Sequence, residues 1–519
     1  MTVSLFRPSR AELAATVASA VLFFYAFPPF RLVGPAFVCL VPFAVAVARA
    51  ADRGDGVRTG VRLGMWFGIF AYGASIYWIA TALLIFTKLA ILGYFGALFV
   101  LTVVVAATGG ALFAARRITR WPMAALVPFV WVASEMAMNH LSALAFPWLP
   151  LGLAVTHTPV LAQIADISGV HGVSFWIALT NGFVADMWLA HGQRRANAMR
   201  GVAIAVMVCA VAAYGTWRMR TTTLRPLGRV GIVQPNVPED EKWQAANLGS
   251  IIDLMSRGTR DVLAQDHPQL VVWPEVSLPD FMFRHPEWSD SIRALTTASD
   301  TPLLTGMLDL VWHTRTDYDY YNAALLVDGD GRQTQPVYHK RRLVPIVERV
   351  PFFNPRWFNW AGKYFGGFGI GDGPVIYHVP FGTFGVLICY ESIFPGESRQ
   401  YRNDGADFLV NITNDAWFGH TLAPYQHYSH LVLRAIENRT AIVRAANTGI
   451  SGWIDPLGRI RAATPIFVPE AETYALETSD ARTPYDALGD FVGLLSVAVT
   501  LALVGRDWWS RRAQRSRAA

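Results

Sequence analysis

Three reactive side chains stand where apolar, β-rich runs give way to polar turns. They are a carboxylate at Glu275 in Val271-Val-Trp-Pro-Glu275, an amine at Lys340 in Pro336-Val-Tyr-His-Lys340, and a thiol at Cys389 in Gly385-Val-Leu-Ile-Cys389. A strand end that presents such a group is how a rigid scaffold aims chemistry at a substrate. Cys389 is one of 3 cysteines in 519 residues, and the other two, Cys39 and Cys209, lie inside long apolar runs. There a thiol behaves as a small hydrophobe. A thiol is mostly protonated near neutral pH, so a nucleophilic cysteine needs a base or a cation beside it. Glu275 is the candidate base. Lys340 is the candidate partner for the thiolate and then for the oxyanion of a tetrahedral intermediate, with the Tyr390 N–H as second donor at the turn. Taken singly, each has a plainer reading: a capping Glu, a solvated Lys in the basic run His339-Lys-Arg-Arg342, an inert Cys. The combination points to covalent catalysis. Around it, Glu348 can orient the Lys340 ammonium, Glu391 either does the same or caps the turn, and Trp243 is either a wall for an acyl chain or ordinary core.

The elements that must position these groups follow from run length and turn chemistry. Short β-rich runs bounded by Pro, Gly, Asn and Asp cover 229–233, 270–273, 303–307, 323–328, 375–378, 384–388 and 408–412. Helical patterns at 245–265 and 424–440 fall between some of them, which predicts an α/β domain over residues 228–480. Elsewhere the chain is apolar. Its 53% hydrophobic and 16% charged content departs from a soluble norm of about 25% charged residues, as a membrane protein would. Runs long enough for a bilayer, at about 20 residues, lie near 11–29, 32–50, 61–83, 88–114, 122–138, 166–190 and 200–216, with an eighth near 487–505. The predicted plan is seven transmembrane helices in 1–220, the inserted α/β domain, an eighth transmembrane helix at 485–506 and a basic tail at 507–519.

Arginine placement predicts orientation, because short cytoplasmic loops collect Lys and Arg. Arg7 and Arg10 precede the first run; Arg49, Arg53, Arg58 and Arg62 surround the second loop; Arg116, Arg117 and Arg120 fill the fourth. Arg194, Arg195 and Arg200 fill the sixth, and Arg506, Arg511, Arg512, Arg515 and Arg517 follow the last run, while the other loops carry little beyond Arg31 and Lys88. Eight spans with both termini cytoplasmic put all five Arg-rich segments on one side and the α/β domain outside. The net charge of +6 is therefore a membrane signal and gives no reason to expect a nucleic-acid partner.

Trp273-Pro-Glu275, Tyr338-His-Lys340 and Ile388-Cys-Tyr-Glu391 resemble the Glu-Lys-Cys regions of the nitrilase, or carbon–nitrogen hydrolase, superfamily. With the helix plan, the chain resembles the membrane-embedded branch of that superfamily, the bacterial apolipoprotein N-acyltransferases. Val233-Gln-Pro-Asn-Val-Pro238 with Trp243, Tyr321-Asn-Ala-Ala-Leu325, Lys340-Arg-Arg-Leu-Val-Pro345 with Glu348, Thr413-Asn-Asp-Ala-Trp-Phe-Gly419 and Arg444-Ala-Ala-Asn-Thr-Gly449 agree. One departure is Pro345-Ile-Val-Glu348, where such enzymes carry an aromatic residue and Gly before the acid. The resemblance implies an αββα catalytic sandwich with Cys389 as nucleophile, Glu275 as general base, Lys340 as oxyanion partner, Glu348 as a second acid, and Trp243, Tyr390 and Glu391 as supporting residues. It implies acyl transfer from a phospholipid to the α-amine of a diacylglyceryl apolipoprotein at the periplasmic face of the inner membrane, the last step of lipoprotein maturation. A membrane-anchored amidase that hydrolyses a C–N bond is the competing expectation.

The aromatic and glycine-rich stretch 351–369 suggests a lid, with Phe352, Phe353, Trp357 and Phe358 entering the lipid interface. The patch Phe281-Met-Phe-Arg-His-Pro-Glu-Trp288 is its candidate partner. His420, His427 and His430 follow Gly419, but no acid or Cys nearby in sequence completes a tetrahedral set. No metal and no cofactor is expected.

Overall fold

The computed structural model describes residues 7–84, 91–315, 317–353 and 366–518. It divides into two compact units, Met1–Met219 with Ala487–Ala519, and Arg220–Asp486.

The first unit is helical. Helices span Arg10–Ala26, Val41–Asp52, Val57–Ser75, Trp78–Leu84, Ile91–Thr119, Met123–Asn139, Ala165–Leu189, Arg194–Thr221 and Phe491–Ala518. Among the described residues, five segments are long and apolar enough to cross a membrane: Gly34–Asp52, Ile91–Thr119, Ala165–Leu189, Arg194–Thr221 and Phe491–Gln514. The run expected near 61–83 is not one helix, since it breaks after Ser75 and resumes at Trp78. Helices Val57–Ser75 and Ile91–Thr119 approach backbone to backbone. A Cβ on Gly64 would lie 2.2 Å from the Val105 carbonyl oxygen, so only glycine permits the contact, as in small-residue packing between apolar helices. Ion pairs gather one set of helix ends: Arg116 and Arg120 meet Asp52 at 2.9 and 3.0 Å, Arg117 meets Asp507 at 2.6 Å, and Arg62 meets Glu12 at 2.7 Å.

The second unit is a two-sheet α/β domain. Its strands are β1 (Arg225–Gln234), β2 (Leu270–Val272), β3 (Leu278–Phe281), β4 (Leu303–Trp312), β5 (Tyr318–Val327), β6 (Tyr338–His339), β7 (Ile376–Val379), β8 (Gly382–Ile388), β9 (Phe408–Thr413), β10 (Ala441–Ala446), β11 (Gly452–Ile454), β12 (Ile460–Ala463) and β13 (Glu470–Thr478). Among the described residues one sheet runs β13-β1-β2-β4-β5-β6, with β3 also on β4, and the other runs β12-β11-β10-β9-β8-β7. The central pairs β1–β2, β2–β4, β8–β9 and β9–β10 are parallel. Every residue of β9 and β10 is buried, as expected of strands covered on both faces. Helix Leu248–Asp266 buries Ile251, Ile252, Met255 and Val262 against Val271, Trp273, Leu303 and Leu325. Those positions recur at helical spacing, so one stripe of the helix faces the sheet. Helices Pro395–Asn403 and Ala423–Asn438 pack on the other sheet, which gives the layers of an αββα sandwich.

All seven β-rich runs lie within or overlap observed strands, while β3 and β10–β13 had no counterpart in the sequence reading. The proposed lid partner divides: Phe281 and Trp288 are buried, and Phe283 is exposed.

Candidate active site

Glu275 follows β2, Lys340 follows β6, Cys389 follows β8 and Asn414 follows β9. The acid, the thiol and the amide thus sit just beyond the carboxyl ends of parallel strands, where open α/β sheets place their ligands.

Two acids converge on one amine. Lys340, 1% exposed, donates from Nζ to Glu275 Oε1 at 3.1 Å and to Glu348 Oε1 at 2.8 Å. Asn322 Nδ2 on β5 donates to the same two oxygens at 2.7 and 3.0 Å. The outer oxygens are also satisfied: Glu275 Oε2 accepts from the Asn414 N–H at 2.8 Å, and Glu348 Oε2 from the Val344 N–H at 2.7 Å. Burial works against the Lys340 charge, but the carboxylates of Glu275 and Glu348 outweigh it and hold the ammonium above its ordinary range. Gly306 on β4 makes room for this arrangement. A Cβ there would lie 2.4 Å from the Pro274 carbonyl oxygen and 2.7 Å from Glu275 Cα.

Cys389 opens a short 3-10 turn, Cys389–Ile393, with φ of 50°. This left-handed conformation is uncommon for a residue with a Cβ. Burial pushes its thiol up, the Glu275 carboxylate adds to the rise, and Lys340 opposes it. The resting group is therefore a thiol within electrostatic reach of both residues, and its proton must move as it attacks. Tyr390 is buried with its ring 5.2 Å from that of Phe394.

Glu391 takes the capping role. Its Oε2 accepts from the Ile388 N–H at 2.7 Å, and its Oε1 from the Arg341 N–H at 2.6 Å and the Tyr338 hydroxyl at 2.7 Å. It thereby ties the segment after Lys340 to the turn after Cys389. Burial pushes its carboxyl up to about 7, with Glu397 adding to the effect. Trp243 is not core: it is 38% exposed, and its indole N–H donates to Glu239 Oε1 at 2.6 Å. Glu239 Oε2 accepts from Asn414 Nδ2 at 2.7 Å, so Trp243 reaches Glu275 through Glu239 and Asn414. Before Glu348, Ile346 takes φ of 73°, a β-branched residue in the conformation that a glycine adopts without strain. The departure in sequence is a departure in backbone comfort. Of the lid candidates, Phe352 and Phe353 are 76% and 55% exposed, and Trp357 and Phe358 lie outside the described residues.

Residues 229–478 match the family model described as carbon-nitrogen hydrolase, and residues 19–183 match that of the apolipoprotein N-acyltransferase N-terminal domain. A protein named apolipoprotein N-acyltransferase from Geobacter metallireducens is 32% identical over 505 residues, covering 94% of this chain and 94% of its own. The chain belongs to the apolipoprotein N-acyltransferase family. Relatives of the same name from Allorhizobium ampelinum and Rhodopseudomonas palustris are each 31% identical, covering 96% and 90% of this chain and the same shares of their own. Among solved structures, an amidase from Nesterenkonia sp. is 16% identical with a TM-score of 0.36, covering 50% of this chain and 93% of its own.

Within this family member, several site residues had no role in the sequence reading. Asn322 and Asn414 lay in matching stretches with nothing to mark their hydrogen bonds. Lys242 is buried and donates to the Glu275 carbonyl oxygen at 3.1 Å; burial pushes its amine below the ordinary range against the pull of Glu239. His427 does have an acid beside it, since Asp415 Oδ1 lies 3.0 Å from its Nδ1. The same nitrogen also faces a guanidinium, Arg444, at 3.2 Å, and among the described residues no group of three or more His, Cys, Asp or Glu is placed to hold a metal ion.

Proposed function

We propose that the protein transfers a fatty acyl chain from a phospholipid to the α-amine of the N-terminal S-diacylglyceryl cysteine of apolipoproteins, through a thioester on Cys389. The observation that carries this reading is a buried ammonium held between Glu275 and Glu348, with the Cys389 thiol within electrostatic reach of Lys340 and Glu275, in a member of this family. In the first step Glu275 takes the Cys389 proton as sulfur attacks the ester carbonyl. The oxyanion is stabilised by Lys340 and the Tyr390 N–H. Collapse breaks the ester C–O bond, Glu275 returns the proton to the leaving glycerol oxygen, and a lysophospholipid departs. In the second step the neutral α-amine attacks the thioester, Glu275 takes a proton from nitrogen and gives it to the departing sulfur, and the free thiol is restored. Splitting one transfer into two displacements implies ping-pong kinetics.

Eight membrane spans with both termini cytoplasmic complete the proposal, placing the α/β domain on the periplasmic side. The clustering of Arg-rich helix ends by ion pairs supports it. Phe352 and Phe353 belong to a lid at the lipid interface in this reading. Its support is the exposure of both rings.

The test is the intact mass of the full-length protein in detergent after incubation with phospholipid and no acceptor. The expected result is a fatty-acyl increment on the wild type and none on Cys389→Ala. Release of free fatty acid without a lasting adduct would favour the amidase-like hydrolase instead.

A further inference from the structure

Behind the nucleophile lies a buried network that the two displacements above do not use. The Cys389 carbonyl oxygen accepts from Ser392 Oγ at 2.8 Å and lies 3.1 Å from His427 Nε2. Ser392 Oγ and His427 Nε2 are themselves 3.0 Å apart. On the far side of the ring, Nδ1 is 3.0 Å from Asp415 Oδ1 and 3.2 Å from Arg444 Nη2. Arg444 also donates to Asp415 Oδ2 at 2.5 Å, Asn411 Oδ1 at 2.7 Å and the Ile450 carbonyl at 3.0 Å. Thr413 Oγ1 donates to Asp415 Oδ1 at 3.1 Å. A carbonyl oxygen can only accept, so the ring serves Cys389 through a proton on Nε2, while Asp415 and Arg444 brace it from the Nδ1 side. Burial and then Arg444 push the imidazole below its ordinary value, while Asp415 pulls it the other way.

The peptide bond from Cys389 to Tyr390 is planar and trans. Its C=O and N–H therefore point in opposite directions, and clamping the oxygen fixes the aim of the Tyr390 N–H. The clamp also polarises the peptide, which strengthens that N–H as a donor. It acts on a residue whose left-handed φ of 50° persists only where its surroundings over-determine it. We infer that His427, braced by Asp415 and Arg444, is a positioning residue that aims the Tyr390 N–H at the oxyanion formed when the Cys389 thiol attacks a carbonyl. The inference rests on the acyl-transfer reading of Cys389.

Two reactions of the same thiol separate aiming from folding. Alkylation by iodoacetamide forms an S–C bond at a saturated carbon, expels iodide, and passes the thiol proton to Glu275 without an oxyanion. Acylation by a p-nitrophenyl fatty ester forms an oxyanion, then a thioester, and the leaving nitrophenol carries off the proton. In the full-length protein in detergent, His427→Phe should keep its alkylation rate within about threefold while acylation falls on the order of 10²-fold, the usual effect of losing one oxyanion donor. His427→Gln, whose amide N–H can replace Nε2–H, should recover most of the loss. If His427→Phe yields no folded protein, the ratio of acylation to alkylation is read from Ser392→Ala, where about a tenfold fall is expected because one of two donors remains. Equal losses in both reactions, or an unchanged ratio, overturn the inference. A wild type acylated by the nitrophenyl ester but never by phospholipid would remove the phospholipid donor while leaving His427's role intact.

Discussion

Lys340 is both a structural ion and a candidate oxyanion donor, and the two roles respond differently to substitution. Replacing it by Met strands two buried carboxylates that face each other across the vacated amine. Removing one partner of a buried pair costs about 3–5 kcal/mol, so Lys340→Met should lower the melting temperature and abolish the acyl-enzyme together. Glu275→Gln keeps the shape and an acceptor for Asn322 or Asn414 but cannot take the thiol proton. Its acyl-enzyme should form on the order of 10²–10⁴-fold more slowly, the range for a lost general base, with a much smaller change in melting. Thermal unfolding beside a mass-detected acylation time course distinguishes the two. At this scale the sequence exposes Glu275, Lys340 and Cys389 because each ends an apolar run at a polar turn. It hides Asn414, which lies 139 residues from the Glu275 it binds, since that contact exists only once the two sheets face each other. It hides the His427–Asp415 contact differently: both residues are in view, but their pairing depends on how helix Ala423–Asn438 settles against the turn after β9.

At the level of elements, the turns after the strands carry both the function and its pH dependence. Glu391 has a folded pKa of about 7 against an ordinary 4.5. Between those values the unfolded chain has lost the proton and the folded one has kept it, so stability falls as pH rises from about 4.5 to about 7. Asp415 runs the other way. Burial pushes its carboxyl up, but Arg444 and His427 outweigh that and hold it at about 2, against an ordinary 3.8, so the stability it contributes is present above about 4 and is lost as pH falls through that interval. Glu391→Gln should flatten the decline in melting temperature from pH 4.5 to 7, whereas Asp415→Asn should leave that slope and soften the acid limb; a slope unchanged by Glu391→Gln would contradict the first assignment. Gly306→Ala drives a Cβ into the Pro274 carbonyl and the Glu275 backbone and should slow acylation without touching any ionisable group. The β-rich runs near Glu275 and Cys389 were legible because buried parallel strands read as unbroken apolar stretches. By contrast, β12 and β13 are largely exposed or half-buried, so they lack that signal.

The whole molecule joins an α/β domain to helices that each overlap an apolar run, with boundaries within three residues for Arg10–Ala26, Met123–Asn139 and Ala165–Leu189 and up to thirteen residues off elsewhere. Run length alone leaves the number of crossings open: helices Arg10–Ala26 and Met123–Asn139 have 17 residues each, about 26 Å at 1.5 Å per residue, short of a hydrocarbon core of about 30 Å. Charge supplies what length lacks. Arg116 and Arg120 pair with Asp52, Arg117 with Asp507 and Arg62 with Glu12, so five helices bring charged residues together in these pairs. If any one of the eight runs failed to cross, the Arg-rich segments beyond it would switch sides and these pairs would have to form across the hydrocarbon. Reporter fusions follow directly: alkaline phosphatase, active only outside the cytoplasm, should be active when joined after residue 480 and silent when joined after residue 517, and a fluorescent protein that folds only in the cytoplasm should give the reverse. Neutralising Arg116, Arg117 and Arg120 together should weaken that contrast, because it removes one of the Arg-rich segments that fix the bundle's orientation and, with it, the ion pairs to Asp52 and Asp507. A phosphatase active at both junctions would mean that helix Phe491–Ala518 does not cross, and the eight-span plan with a cytoplasmic carboxyl terminus would fall.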